Sequence, residues 1–313
     1  MDGLVEDFLE YLRYERNYSP RTISPYKSSL EAFGLYWKSQ DRSLGWESVT
    51  TDLIRDWIVA LMDRGLTAAG VCPKLSAVKS FYRYLLRRGI VEVDPAHVVK
   101  APKKDRSLPA FVSEGDMNIL LDKVTYPDSY VGRRDRLILE TLYSTGIRAA
   151  ELLGLDIDDV DVGVGQLAVT GKRDKERIVP FGARLAGMMS EYLTERRDLS
   201  PAVGHENALL LNDVARCRLS YNALRDIVRL YLSQVTMMSK RTPHVLRHSF
   251  ATSMLNNNAD LQSVKELLGH EKLSTTAIYT HTTFRQLKQM YNQAHPRAGK
   301  NLADEDDAIN KRR

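Results

Sequence analysis

The chain has 313 residues, 43% hydrophobic and 27% charged, with a formal net charge of +5. This composition fits a soluble globular protein of two domains and excludes a membrane-embedded one, since no apolar run approaches the roughly 20 residues that a span requires. The basic excess makes a polyanionic partner plausible without establishing one.

The opening segment "MDGLVEDFLEYL" is acidic and amphipathic, with Leu4, Phe8, Leu9 and Leu12 at helical spacing. It is not a basic leader, so no secretion signal is expected and the expected location is the cytoplasm. Ser19 and Pro20 suit the N-cap and first position of a second helix. The run "TTDLIRDWIVALMDRG" reads as a third, from a capping threonine to a stop at Gly65. A fourth ends in "LSAVKSFYRYLLRRG", with Pro73 either opening it or kinking its first turns and Gly89 closing it. Lys74, Lys79, Arg83, Arg87 and Arg88 fall on its more exposed face. Cys72 and Cys217 lie far apart and read as reduced thiols.

Residues 93–111 are rich in proline and base and lose their periodicity, as a linker does. Ser113, with Asp116 three positions on, predicts a capped helix start, and "RRDRLILETLYSTG" predicts a helix ending at Gly146. The period then changes to alternation. Leu167–Val169 and Ile178–Val179 flank a charged turn, predicting a small antiparallel hairpin with Lys172 near its bend. A helix near 182–197, a short strand at "ALLL" and helices to about residue 293 follow, and the polar end is expected to be disordered.

Basic runs occur at 81–89, 100–106, 132–136 and 171–177, in both halves of the chain. One such run is usually a solvated face, whereas four favour an extended anion. Arg148 in "STGIRAAELLGL" stands at a helix start; from this stretch alone, a surface arginine is the favoured reading. "TPHVLRHSFAT" says more, because Pro243 pins a helix start and puts His244 and Arg247 on one face. His248 makes a zinc pair with His244 conceivable, but the glutamate of H-E-x-x-H and an obvious third ligand are missing. His270 follows the helix-ending Gly269, and Tyr279 lies nine residues further on.

Two arginines that match phosphate oxygens, two histidines, a lysine and a tyrosine suit attack by a phenol on a phosphodiester. No acidic cluster for paired magnesium ions and no Walker-type loop is present in the sequence, so no metal or other cofactor is expected.

On the motifs "TGIRAAELLGL", "GKRDKERIVP", "TPHVLRHSFAT" and "LLGHEKLSTTAIYTH", the chain resembles the tyrosine recombinase (phage integrase) family, and most closely the bacterial Xer recombinases. The hairpin turn, Gly171-Lys172-Arg173, departs from the family's usual second glycine. The resemblance implies that Arg148, His244, Arg247 and His270 activate the phosphate, that Lys172 protonates the 5′ oxygen, and that Tyr279 forms a 3′-phosphotyrosyl link. It also implies a mainly α fold with a small antiparallel β-sheet, arranged as a two-domain C-shaped DNA clamp. Its parts would be a helical SAM-like core-binding domain at 1–100, a linker at 101–110, a catalytic domain at 111–295 and a polar tail at 296–313.

Expected partners are double-stranded DNA at a specific site, a tetramer on two such sites with a sister recombinase, and a DNA translocase activator. Residues 282–295 are the expected helix that docks on a neighbouring protomer. Lys79, Arg83, Arg87, Lys103, Lys104 and Arg173 are the expected DNA contacts. The implied role is resolution of chromosome dimers; an integrase of a mobile element, a type IB topoisomerase and a non-catalytic DNA-binding protein are the alternatives.

Overall fold

The computed structural model describes residues 3–40, 45–103, 110–171, 175–269 and 281–298, without the side chains of 281–285. The chain divides into two compact units, Met1–Leu108 and Pro109–Arg313.

Four helices build the first unit: α1 (Gly3–Tyr14), α2 (Pro20–Gln40), α3 (Thr51–Asp63) and α4 (Ala68–Arg87). Their ends follow local chemistry. The Ser19 hydroxyl accepts the Thr22 N–H at 3.3 Å and the Thr50 hydroxyl accepts that of Leu53 at 3.2 Å, each satisfying a donor left over in a first helical turn. Pro73 does not open α4, which begins five residues earlier behind Thr67; the proline sits inside the helix instead. The core is aromatic. Phe33 stacks at a tilt on Trp57 with centroids 4.8 Å apart, and Trp46 meets Phe81 edge to face at 4.8 Å. Trp37, Trp46 and Trp57 are the chain's three tryptophans, and all are buried here. On α4, Arg83, Arg87 and Arg88 are exposed while Lys74 and Lys79 are half-buried.

In the second unit, α5 (Glu114–Asn118) starts at Ser113, whose hydroxyl accepts the Asp116 N–H at 3.1 Å, and runs into a π turn at Ile119–Lys123. Helix α6 (Tyr130–Thr145) is buried along most of its length and packs on α8 (Ala183–Arg197) and α10 (Pro243–Asn256). Between them lie α7 (Ala149–Gly154) and a three-stranded antiparallel sheet in the order β1 (Val160–Asp161), β2 (Gln166–Thr170), β3 (Glu176–Pro180). The expected hairpin is β2–β3, with Leu167 opposite Val179 and Thr170 opposite Glu176; β1 was not expected. Helices α9 (Tyr221–Leu232), α11 (Leu261–Leu268) and α12 (His281–Ala294) complete the unit. Among the described residues no helix is long and apolar enough to cross a membrane.

Two expectations need correction. "ALLL" at 208–211 is buried but forms only isolated bridges at its two ends. Side chains take up three of its four carbonyls: the Arg196 guanidinium donates to Ala208 at 3.0 Å, the Tyr192 hydroxyl to Leu209 at 2.9 Å and the Arg134 guanidinium to Leu211 at 2.9 Å. The polar tail was expected from residue 296, yet Arg297 and Ala298 are buried. Arg297 donates to both oxygens of Glu140, at 2.8 and 3.0 Å, and to Asp122 at 2.9 and 3.1 Å; Arg184 also pairs with Asp122. Two guanidinium groups thus face two carboxylates, and these ionic partners make burial of Arg297 tolerable, which composition cannot reveal. Burial alone would raise the Asp122 carboxyl, but the hydrogen bonds and charges of Arg297 and Arg184 bring it below its usual range. Arg297→Ala leaves buried Glu140 with only the Ser144 hydroxyl at 2.9 Å and Arg184 at 3.8 Å among the described residues, and should destabilise the second unit by about 3 kcal/mol, measured as a shift in its urea transition by circular dichroism.

Candidate active site

Helix α6 ends at Gly146 in the left-handed region, φ +63°, where a Cβ would also lie 2.3 Å from the Phe250 ring. The next turn sets Arg148 as the N-cap residue of α7 with an extended backbone. Glu151, three positions on, accepts the Arg148 backbone N–H at 2.7 Å and its Nη1 at 2.7 Å. This is the return half of a capping box, and it also aims the arginine. Arg148 remains exposed.

Arg247 comes from α10, where Pro243 occupies the first turn as expected. It is buried and donates from Nη1 to the Gly146 carbonyl at 2.8 Å and from Nη2 to that of Leu268 at 2.6 Å. His244 is exposed one turn earlier, its ring edge to face with His248 at 4.4 Å between centroids.

The C-terminal end of α11 gathers these groups. Leu267, Leu268 and Gly269 offer three successive carbonyls, and each receives one guanidinium: Arg177 at 3.2 Å, Arg247 at 2.6 Å and Arg148 at 3.1 Å. Cations are favoured there because the last carbonyls of a helix lack intrahelical partners and carry the negative end of its dipole. Gly269, with φ +64°, lets the chain turn out of the helix. Arg177, from β3, also grips Glu151 with two bonds of 2.9 Å. Three cations thus meet at this helix end with one carboxylate, which two of them bond, leaving a site of positive charge suited to an anion.

Protonation follows from this crowding. Burial lowers the pKa of Arg247 first and neighbouring Arg148 lowers it further, to about 10, so it stays charged at neutral pH. His244 lies below the usual imidazole value through the partial burial of its ring and then through His248, Arg247 and Arg148, so it is neutral at pH 7 and can accept or donate a hydrogen bond. Burial alone would raise Glu151, but the hydrogen bonds and charges of Arg177 and Arg148 hold it at about 2.

The structure thus brings together Arg148, His244 and Arg247. Lys172, His270 and Tyr279 lie outside the described residues, as do Lys104 and Arg173. The residues where those segments begin belong to the cluster: Gly269 holds Arg148, and a Cβ on Gly171 would be 3.6 Å from Glu151 Oε1. In the first unit, Lys79, Arg83 and Arg87 line a cleft of about 310 Å³ with Tyr11, Tyr18 and Arg16; Lys103 is exposed. Sequence reasoning missed Glu151 and Arg177. The Arg148–Glu151 spacing could have disclosed the first; nothing local marks the second.

Residues 111–286 match the phage integrase family, and residues 5–89 match the phage integrase N-terminal SAM-like domain. The chain belongs to the phage integrase family. Among curated relatives, a protein named tyrosine recombinase XerC from Pelotomaculum thermopropionicum is 40% identical over 304 residues, covering 94% of this chain and 98% of that one. One named XerD from Oceanobacillus iheyensis is 37% identical, covering 95% and 100%. Two solved structures share this family fold. One is XerH recombinase bound to a palindromic difH substrate, with a TM-score of 0.67, 24% identity, and 92% and 83% of the two chains covered. The other is the Tn1549 transposon integrase with circular intermediate DNA, with a TM-score of 0.69, 17% identity, and 90% and 98% covered.

Proposed function

We propose that this chain is a site-specific DNA recombinase of the Xer type that cuts and rejoins strands through a 3′-phosphotyrosyl intermediate. The observation that carries the reading is the convergence of Arg148 and Arg247 on successive carbonyls at the end of α11, immediately before His270. In this reading the Tyr279 oxygen attacks phosphorus and loses its proton to a base of the site. The bond from phosphorus to the 5′ oxygen breaks, and Lys172 donates the proton that makes a 5′ hydroxyl. Arg148 and Arg247 bind the non-bridging oxygens, where charge gathers in the transition state, and His244 and His270 add hydrogen bonds. Attack by another strand's 5′ hydroxyl on the phosphotyrosine reverses the sequence and releases Tyr279.

Relatives named XerC and XerD, 35–40% identical over most of the chain, favour chromosome-dimer resolution over a mobile-element role. DNA is then the partner, with Lys79, Arg83 and Arg87 on its backbone. Four protomers would act on two sites in the cytoplasm, with a sister recombinase and a translocase activator.

The test is capture of a denaturant-stable adduct from a pool of nicked duplexes, followed by sequencing of the DNA and mapping of the modified residue. Recombination predicts one recurring sequence attached at Tyr279. Adducts at many unrelated sequences would indicate a topoisomerase, and sequence-specific retention without adduct a binding protein. Affinity for the recovered site should also fall by about 10³-fold or more between about 50 and 200 mM salt if six or more phosphates are neutralised, measured by titration at each salt concentration.

A further inference from the structure

Arg177 lies on β3, five residues after Lys172 in sequence, and only 8% of its surface is exposed. Among the described residues, all its hydrogen-bond partners belong to the arginine cluster: both oxygens of Glu151, at 2.9 Å each, and the Leu267 carbonyl at 3.2 Å. Glu151 accepts two further bonds from Arg148, one from its backbone and one from its guanidinium. Four N–H groups thus occupy the four lone-pair positions of one carboxylate, which cannot turn without breaking several bonds. Two glycines make room for this brace. A Cβ at Gly269 would lie 3.2 Å from the Arg177 guanidinium, and one at Gly171 would lie 3.7 Å from its Nη1.

A buried ion pair that served packing alone would have no need of an exposed third member. Here the same carboxylate that satisfies buried Arg177 also aims Arg148, and the other edge of the Arg177 fork ties down the end of α11. We propose that Arg177 is a positioning residue for strand cleavage: through Glu151 it fixes the direction of Arg148, and through Leu267 it fixes the point from which the segment bearing His270 and Tyr279 departs. Arg177 itself contacts no DNA. The inference rests on the recombinase reading of this site.

The test measures single-turnover adduct formation on nicked DNA, DNA affinity and thermal melting for Arg177→Met and Arg177→Lys, each alone and combined with Arg148→Lys. Arg177→Met should slow cleavage about 10²-fold, the loss expected from displacing a reacting group by about 1 Å, with affinity for DNA little changed. In the Arg148→Lys background the same substitution should add less than about threefold, because both changes disturb one unit. Lysine keeps the charge but not the planar fork, so Arg177→Lys should fold and still cleave slowly, which keeps the inference testable if the methionine variant does not fold. Cleavage at the unaltered rate by both variants, or a full multiplicative loss on top of Arg148→Lys, would overturn the inference while leaving the recombinase reading intact. Failure of the unaltered protein to form any adduct would sink both.

Discussion

Tyr279→Phe should eliminate the denaturant-stable adduct with nicked DNA while site affinity stays nearly unchanged. Phenylalanine removes only the hydroxyl oxygen and keeps the ring, so a loss of chemistry without a loss of binding would isolate the nucleophile. A histidine or lysine nucleophile would instead form a phosphoramidate link, which acid cleaves, whereas a phosphotyrosyl bond survives acid. The measurement is denaturing electrophoresis of labelled DNA with and without acid treatment. An acid-stable adduct in the phenylalanine protein would reassign the nucleophile.

Arg247→Ala should lower the single-turnover cleavage rate by about 10³ to 10⁵, the range over which a guanidinium stabilises a phosphoryl group in transfer. The expected loss is larger than for a surface arginine because this one is buried and held by two carbonyls, so its direction is set before DNA arrives. Among the described residues, two of its five N–H donors are spent on those carbonyls. The Gly146 carbonyl and that of Leu268 lose a donor in the variant, so a melting curve must accompany the rate. A loss of only a few-fold in a folded protein would remove Arg247 from the phosphate-binding set.

Features written in short stretches of sequence were the legible ones. Caps at Ser19, Thr50 and Ser113 and stops at Gly146 and Gly269 depend on neighbours within a turn, and the structure shows each at its expected position. The hairpin was legible for the same reason, through alternation. The two-residue strand β1 was not, because its strand character comes only from pairing with Leu167 and Gln166. "ALLL" carried the apolar signal of a strand but gives the carbonyls of Ala208, Leu209 and Leu211 to the side chains of Arg196, Tyr192 and Arg134, which lie outside that signal. Within the site, Pro243 and the three-residue spacing placed His244 and Arg247 on one face. Arg177 could not be found that way, since its partners are 26 and 90 residues distant and its own stretch reads as one more basic run. Arg297 repeats the lesson: nothing in its own stretch of sequence signals burial, while its partners Glu140 and Asp122 are 157 and 175 residues away.

Confinement of Trp37, Trp46 and Trp57 to the amino-terminal unit gives the protein a one-sided optical reporter. Intrinsic indole emission follows that unit alone, whereas far-ultraviolet ellipticity weighs helices throughout the chain. Denaturation of the unlabelled protein, followed at both wavelengths, therefore resolves which unit yields first without severing them.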